Sequence, residues 1–219
     1  MISRGELVRI CRKIVCVGRN YQEHCAELNN AVPTKPLLFL KPPVSIITEG
    51  SPVIVPEGST NIHHEVELGI VIGKKGSKIP EEKAMDHVDS YLLALDMTER
   101  DLQDVAKKNS HPWLLAKCWD TFCPISDVIP KSAIKDVNNI DINLAVNGVT
   151  RQSGNTRDMI FSLPFLISHI SKIMKLEYGD IILTGTPSGV GPVKGGDTIQ
   201  CALEGITKMQ FDVKNQSDM

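Results

Sequence analysis

His63-His64-Glu65-Val66-Glu67-Leu68-Gly69-Ile70-Val71-Ile72 is a strand sequence in which acids first alternate with apolar residues and then give way to them. Successive side chains of a strand point to opposite faces, so Glu65 and Glu67 share a face that continues into Gly69 and Val71. Both acids then lie at the mouth of a buried surface. Tyr91-Leu92-Leu93-Ala94-Leu95-Asp96 has the same character, with Asp96 continuing the face of Leu92 and Ala94. An ionised carboxylate at such a place is costly unless a cation or several hydrogen bonds compensate it. Three oxygen donors without a thiolate or clustered imidazoles suit a hard divalent ion, Mg2+ or Mn2+, rather than zinc. Taken singly, each acid also fits a solvated strand or turn position; the constellation is what points to a metal site.

The chain has 219 residues, 42% of them hydrophobic, and a formal net charge of −2. That fits one sizeable domain with a real core. Lysines and arginines are scattered, so there is no basic field for nucleic acid. The longest apolar runs, such as residues 160–173, are interrupted by serines, Pro164 and His169 and are too short to span a bilayer. Neither nucleic acid nor a membrane is therefore expected as a partner. Six cysteines show no C-x-x-C pair, which suits reduced thiols in an intracellular compartment. Arg4, Arg9, Arg12 and Lys13 against Glu6 alone fit either a mitochondrial transit-type segment or the charged flank of a first strand.

Short strands punctuated by turns dominate. Residues 13–18 read as a first strand and residues 20–28 as a short helical turn on which His24 and Glu27, three apart, share a face. Leu37–Lys41 is a strand stopped by Pro42-Pro43. Residues 80–88 read as a short helix with proline at its start, and residues 99–108 as a helix whose early acids and late lysines match its dipole. Asn147-Gly148 between β-type runs predicts a two-residue hairpin turn. Ser162 caps one longer helix reaching to about residue 176, and a β pair closes the chain. Many short strands with few helices give an α+β, mostly β class rather than alternating βαβ units.

Lys117 lies in the apolar stretch Trp113-Leu114-Leu115-Ala116-Lys117-Cys118-Trp119, where it must snorkel, pair, or bind a substrate carboxylate. Read as a strand, this stretch puts Trp119 on the Lys117 side, where it either intrudes on a pocket or packs in the core. Residues 183–192 form a Gly-rich loop without the Gly-Lys-Ser/Thr ending of a phosphate loop. Its amides and the Thr186 hydroxyl could still meet a carboxylate or enolate oxygen, or the loop is only a tight turn. In a His24–Glu27 pair the glutamate would orient the imidazole to take a proton from water. His63 and His64 are not assigned as ligands, and no Gly-x-Ser-x-Gly elbow or nucleophilic cysteine is present.

Five motifs in order carry a resemblance: Gly18-Arg19-Asn20-Tyr21-x-x-His24-x-x-Glu27, His64-Glu65-Val66-Glu67-Leu68, Asp96-x-x-x-Arg100-Asp101-x-Gln103, Lys117-x-x-Asp120, and Gly179-Asp180-x-Ile182-x-Thr184-Gly185-Thr186-Pro187-x-Gly189-Val190-Gly191. Together they resemble the fumarylacetoacetate hydrolase family, most closely its short acylpyruvase/oxaloacetate decarboxylase branch. Residues 13–214 would form the catalytic domain, after an N-terminal extension (1–12) and before a short tail (215–219). The resemblance implies a mixed β-roll or sandwich, a homodimer, and Mg2+ or Mn2+ on Glu65, Glu67 and Asp96. It implies small 2-oxo acids as substrates, acylpyruvates or oxaloacetate, contacted by Lys117 and Thr186, with Arg100 and Gln103 lining or bracing the site. His24 and Glu27, on a segment that closes as a lid in such proteins, would activate water. A mitochondrial location follows by resemblance, with the cytoplasm as alternative. The expected chemistry is cleavage beside a 2-oxo group to give a pyruvate enolate. Rival readings are an oxaloacetate tautomerase, hydratase or isomerase of the same superfamily, or a non-catalytic 2-oxo-acid binding protein. In the family a small residue and then Phe usually follow the lysine; Cys118-Trp119 departs from this.

Overall fold

A computed structural model describes residues 1–218. It begins with α1 (Arg4–Ile10), capped by the Ser3 hydroxyl. The chain then runs through β1 (Ile14–Gly18), α2 (Gln22–Glu27), β2 (Leu37–Lys41), β3 (Ile46–Thr48), β4 (Val53–Val55), β5 (Ile62–His64), β6 (Val66–Ile72), β7 (Val88–Leu95) and β8 (Thr98–Glu99). Next come α3 (Arg100–Asn109), α4 (Leu114–Lys117), β9 (Cys123–Ile125), β10 (Ile129–Pro130), β11 (Asp141–Val146) and β12 (Val149–Asn155). The last part holds α5 (Leu163–Ile173), β13 (Ile181–Leu183), β14 (Gly191–Val193), β15 (Thr198–Leu203) and β16 (Thr207–Asn215).

Three sheets result, ordered β2-β1-β13-β6-β7-β9-β3 with β10 beside β7, β12-β11-β15-β16-β4, and β14-β5-β8. Most pairs are antiparallel; β1 with β13, β3 with β9 and β16 with β4 are parallel. One core lies between the two larger sheets, where Val66, Leu68, Ile70 and Leu93 meet Ile142, Leu144, Ile199 and Phe211, closed by Leu166 and Ile170 of α5. The opposite face of the largest sheet carries a second cluster, in which Val71, Leu92, Ala94 and Leu183 are covered by Ile2 and Leu7. A sheet covered on both faces explains why all seven residues of β6 are buried. The mostly-β class with few helices is as the sequence reads.

Residues 1–12 are part of this body. Ile2 and Leu7 have no exposed surface, the Ile2 amide donates to Asp89 and Arg4 pairs with Asp127. Local chemistry places the turns as expected: Asn147 and Gly148 both have positive φ, the geometry of a two-residue hairpin, and Ser162 caps α5 through the Phe165 amide. Two elements differ from the sequence reading. Residues Glu81–His87 wind as a 3-10 helix, and residues 114–117 form a helix rather than a strand.

Candidate active site

β6 and β7 are adjacent antiparallel strands, with Glu67 opposite Ala94 and Val66 opposite Leu95. The Asp96 amide donates to the Glu65 carbonyl, so both strand ends stay in register just past the ladder. This brings Glu65, Glu67 and Asp96 together, with one carboxylate oxygen from each lying within 4.8 Å of the others. All three are buried.

Three cations answer them. Arg100, first residue of α3, donates to Glu65 Oε1 at 2.5 Å. Lys117, last residue of α4, reaches Glu65 Oε2 (2.9 Å), Asp96 Oδ2 (2.6 Å) and the Thr98 hydroxyl (2.6 Å). Lys41, fully buried at the end of β2, donates to Asp96 Oδ1 (2.7 Å) and to the carbonyls of Met97 and Lys117. Burial alone would raise the Glu65 pKa, but Lys117 and then Arg100 outweigh it and hold the carboxyl well below the usual range. Burial likewise disfavours the Lys117 ammonium, while Asp96 and Glu65 hold its pKa above the ordinary value.

Glu67 has no such partner. Among the described residues its one donor is the Gly185 amide, on Oε2 at 2.7 Å, and burial followed by Asp96 pushes its pKa well up. The cluster is thus short of positive charge on the Glu67 side, and its donors are all oxygens, which fits a hard divalent cation. Each acid also has one oxygen reserved by the protein: Glu65 Oε1 by Arg100, Asp96 Oδ1 by Lys41, Glu67 Oε2 by Gly185. Of the three remaining oxygens, two are those that Lys117 touches.

His24 is buried on α2, and its Nδ1 lies 3.2 Å from Glu27 Oε2. Donation from Nδ1 to Glu27 leaves Nε2 as the ring's acceptor. Glu27 in turn accepts from the Gly189 amide, and Glu23 from the Ser188 hydroxyl, so α2 is docked on the Gly-rich loop. The loop's amides at Gly185 and Gly189 therefore serve protein carboxylates, where the sequence left open either a ligand's oxygen or a simple tight turn. Gly189 has φ +95, and a Cβ there would come within 2.0 Å of the Arg151 carbonyl, so glycine is required.

Thr186 lines the same cavity, yet its hydroxyl donates to the Val66 carbonyl and accepts from Gln152. Gln152 also accepts from His64 and the Val66 amide, locking β12 to the start of β6. Arg100 Nη1 donates to Gln103 Oε1, which leaves the Gln103 amide nitrogen as its free donor group. On its other edge Arg100 Nε donates to His63 Nδ1, whose Nε2 meets Asn61. Burial and then Arg100 lower the His63 pKa to about 4, so this imidazole stays neutral.

His24, Glu65, Glu67, Asp96, Arg100, Gln103, Lys117 and Thr186 line one cavity of about 30 Å3, and Glu27 stands behind His24. At ~10–15 Å3 per water, that is room for a couple of waters. Trp119 is not among the lining residues. Because residues 114–117 are helical, Trp119 turns back, donates to the Leu115 carbonyl and packs on the core beside Phe122. Phe39 and Trp113 form the aromatic wall instead, with Lys117 Nζ 4.9 Å from the Phe39 ring centre. Lys41 and Gln152 were not singled out in the sequence, and Arg19 stood in a motif without a role. For Lys41 a signal existed: strand alternation places it on the face of Phe39.

Residues 13–214 match the family described as fumarylacetoacetate (FAA) hydrolase C-terminal. Among curated relatives, the mitochondrial oxaloacetate decarboxylase of Dictyostelium discoideum is 57% identical over 204 residues, 92% of this chain and 94% of that protein. The mitochondrial oxaloacetate tautomerase of Bos taurus is 53% identical over 203 residues, 93% of this chain and 92% of that one. The crystal structure of fumarylpyruvate hydrolase from Pseudomonas aeruginosa, in complex with Mn2+ and pyruvate, superposes with a TM-score of 0.90 at 34% identity, covering 94% of this chain and 91% of that one.

The buried pairing makes Lys41 testable by itself. Lys41→Met leaves Asp96 Oδ1 and two carbonyls without their donor and should cost about 3–5 kcal/mol in urea unfolding. Adding Asp96→Asn should recover part of that loss; a single variant as stable as the parent would contradict the pairing.

Proposed function

The chain belongs to the fumarylacetoacetate hydrolase family, and on that premise we propose that it is a divalent-metal-dependent enzyme cleaving short 2-oxo acids, by oxaloacetate decarboxylation or acylpyruvate hydrolysis. The observation that carries this reading is the set of three buried acids, each with one oxygen not held by Arg100, Lys41 or Gly185, in a cavity shared with Lys117 and the His24–Glu27 pair. Glu65, Glu67 and Asp96 would hold Mg2+ or Mn2+. When bound, such an ion supplies Lewis-acid stabilisation of the negative charge that develops on a 2-oxo oxygen.

With an ion held there, Lys117 would release Glu65 and Asp96, and its ammonium would be free for the substrate carboxylate. Gln103, oriented by Arg100, donates its amide to a second substrate oxygen. For an acylpyruvate, His24 Nε2 takes a proton from water while Glu27 holds Nδ1 and stabilises the imidazolium. The water oxygen bonds to the distal carbonyl carbon, the adjacent C–C bond breaks, and its electron pair leaves as pyruvate enolate. Protonation of that enolate gives pyruvate beside the carboxylic acid. For oxaloacetate, the bond to the distal carboxylate breaks instead, CO2 departs and the same enolate forms, with no water consumed. Tautomerisation of oxaloacetate, the activity in the bovine relative's name, moves one proton between C3 and the 2-oxo oxygen at the same residues.

α2 is docked on the Gly-rich loop through side chains at the surface, Glu23 to Ser188 and Glu27 to Gly189, which supports its acting as a lid that lifts on substrate entry. Leu40, Val44, Leu114 and Leu115 are exposed apolar residues in or beside β2 and α4, which supports a homodimer; a monomer in sedimentation at micromolar concentration would refute it. Relatives named mitochondrial support a mitochondrial location, testable by fractionation.

His24→Ala should lower acylpyruvate hydrolysis by roughly 10²–10⁴-fold and oxaloacetate decarboxylation far less, measured as kcat on Mn2+-loaded enzyme. Equal losses would remove the separate role of His24 as base. Glu67→Gln replaces a carboxyl that burial already disfavours as an anion, so the fold should persist by circular dichroism. Mn2+ affinity, read from the paramagnetic resonance of the free ion, should fall by about 100-fold or more. Undiminished occupancy would overturn the ligand assignment.

A further inference from the structure

Four cationic side chains line the cavity: Arg19, Arg100, Lys107 and Lys117. Three are committed, Arg100 to Glu65, Lys117 to Glu65 and Asp96, and Lys107 to Asp104. Arg19 alone has no carboxylate within salt-bridge distance among the described residues, although it is half-buried at the site. Its backbone is also unusual, held at φ 61 in the left-handed region that non-glycine residues rarely adopt.

The neighbours enforce that conformation. Asn20 is fully buried, donates to the Phe161 and Thr184 carbonyls and accepts from the Phe161 amide, pinning the chain to the end of β13. On the other side Gly18 lies under Leu37 and Trp113, where a Cβ would approach Leu37 to 3.2 Å. The Cys25 thiol donates to the Arg19 carbonyl from α2. A backbone fixed on both sides holds Arg19 in the cavity lining, and local strain of this kind is retained where the surrounding structure imposes it.

Lys41, Arg100 and Lys117 are committed to Asp96 and Glu65, so Arg19 brings a further, uncommitted positive charge to the cavity lining. A dicarboxylic 2-oxo acid whose first carboxylate Lys117 receives still has a second carboxylate that Lys117 and the acids do not address. We propose that Arg19 is a specificity-determining residue that receives the distal carboxylate of a short dicarboxylic 2-oxo acid such as oxaloacetate. This rests on the reading of the cavity as a 2-oxo-acid site. A guanidinium suits the task because its fork matches a carboxylate in two parallel hydrogen bonds. Monocarboxylic acylpyruvates have no distal carboxylate for it to bind.

Two measurements on the full-length, Mn2+-loaded protein test the assignment. In steady-state kinetics, corrected for spontaneous decarboxylation, Arg19→Met should raise KM for oxaloacetate by about tenfold or more, with kcat changed much less. KM for acetylpyruvate should shift by no more than about twofold, and Arg19→Lys should recover part of the oxaloacetate affinity. In calorimetry, the parent should bind 2-oxoglutarate, a stable dicarboxylic probe, at least about tenfold more tightly than pyruvate, and the ratio should collapse towards one in Arg19→Met. An unchanged ratio, or equal loss for both substrates, would overturn the role of Arg19. A parent protein that binds both probes but turns over neither substrate would overturn the proposed activity while leaving the calorimetric ratio to decide Arg19.

Discussion

Three carboxylates that cannot reach bulk water are the constraint from which the rest of the structure follows. Burying them unpaired is prohibitive, because an isolated ionised group in a low-dielectric interior loses far more hydration than packing returns. The chain meets this by bringing cations from three separate elements: Lys41 from an edge strand, Arg100 from the start of α3 and Lys117 from the end of α4. The acids between them tie those elements together, alongside the aromatic contact of Phe39 with Trp113. The short α4 illustrates this, since it exposes Leu114 and Leu115 while burying Lys117.

The sheet supplies the rigidity that the arrangement needs. β6 and β7 are covered on both faces, so the ends that carry Glu65, Glu67 and Asp96 cannot slip without turning buried apolar residues outward. Gln152 adds a second lock by bonding at once to His64, the Val66 amide, the Thr186 hydroxyl and the Pro187 carbonyl. α2, by contrast, meets the Gly-rich loop through Glu23 and Glu27 at the surface. In the proposed reaction, water activation would thus fall to an element docked by hydrogen bonds at the surface, and charge stabilisation to the covered sheet.

Much of this was legible because strand alternation is a strong code. Period two placed Glu65, Glu67 and Asp96 on faces continuing into buried residues, and Asn147-Gly148 and Ser162 marked a turn and a cap through local chemistry alone. What escaped depends on non-local contacts. Gln152 sits in a polar hairpin strand, Thr150-Arg151-Gln152-Ser153, with nothing to distinguish it from its exposed neighbours. The stretch from Trp113 to Trp119 is apolar enough for a strand, but four residues of helix between tertiary anchors reverse which side Trp119 faces. The amides of the Gly-rich loop were open to any anion in the sequence; the fold gives those of Gly185 and Gly189 to Glu67 and Glu27.

The oxygens withheld by Arg100, Lys41 and Gly185 bear on which ion the cluster prefers. With one oxygen of each carboxylate engaged elsewhere, every acid is restricted to a single point of attachment. Calcium favours six to eight oxygens and readily takes carboxylates through both. Three single attachments would meet that demand less well than they would meet the six oxygens of a smaller octahedral ion, were one held here. Any preference for the smaller ion would then come not from the ligands themselves but from the three groups that stand behind them.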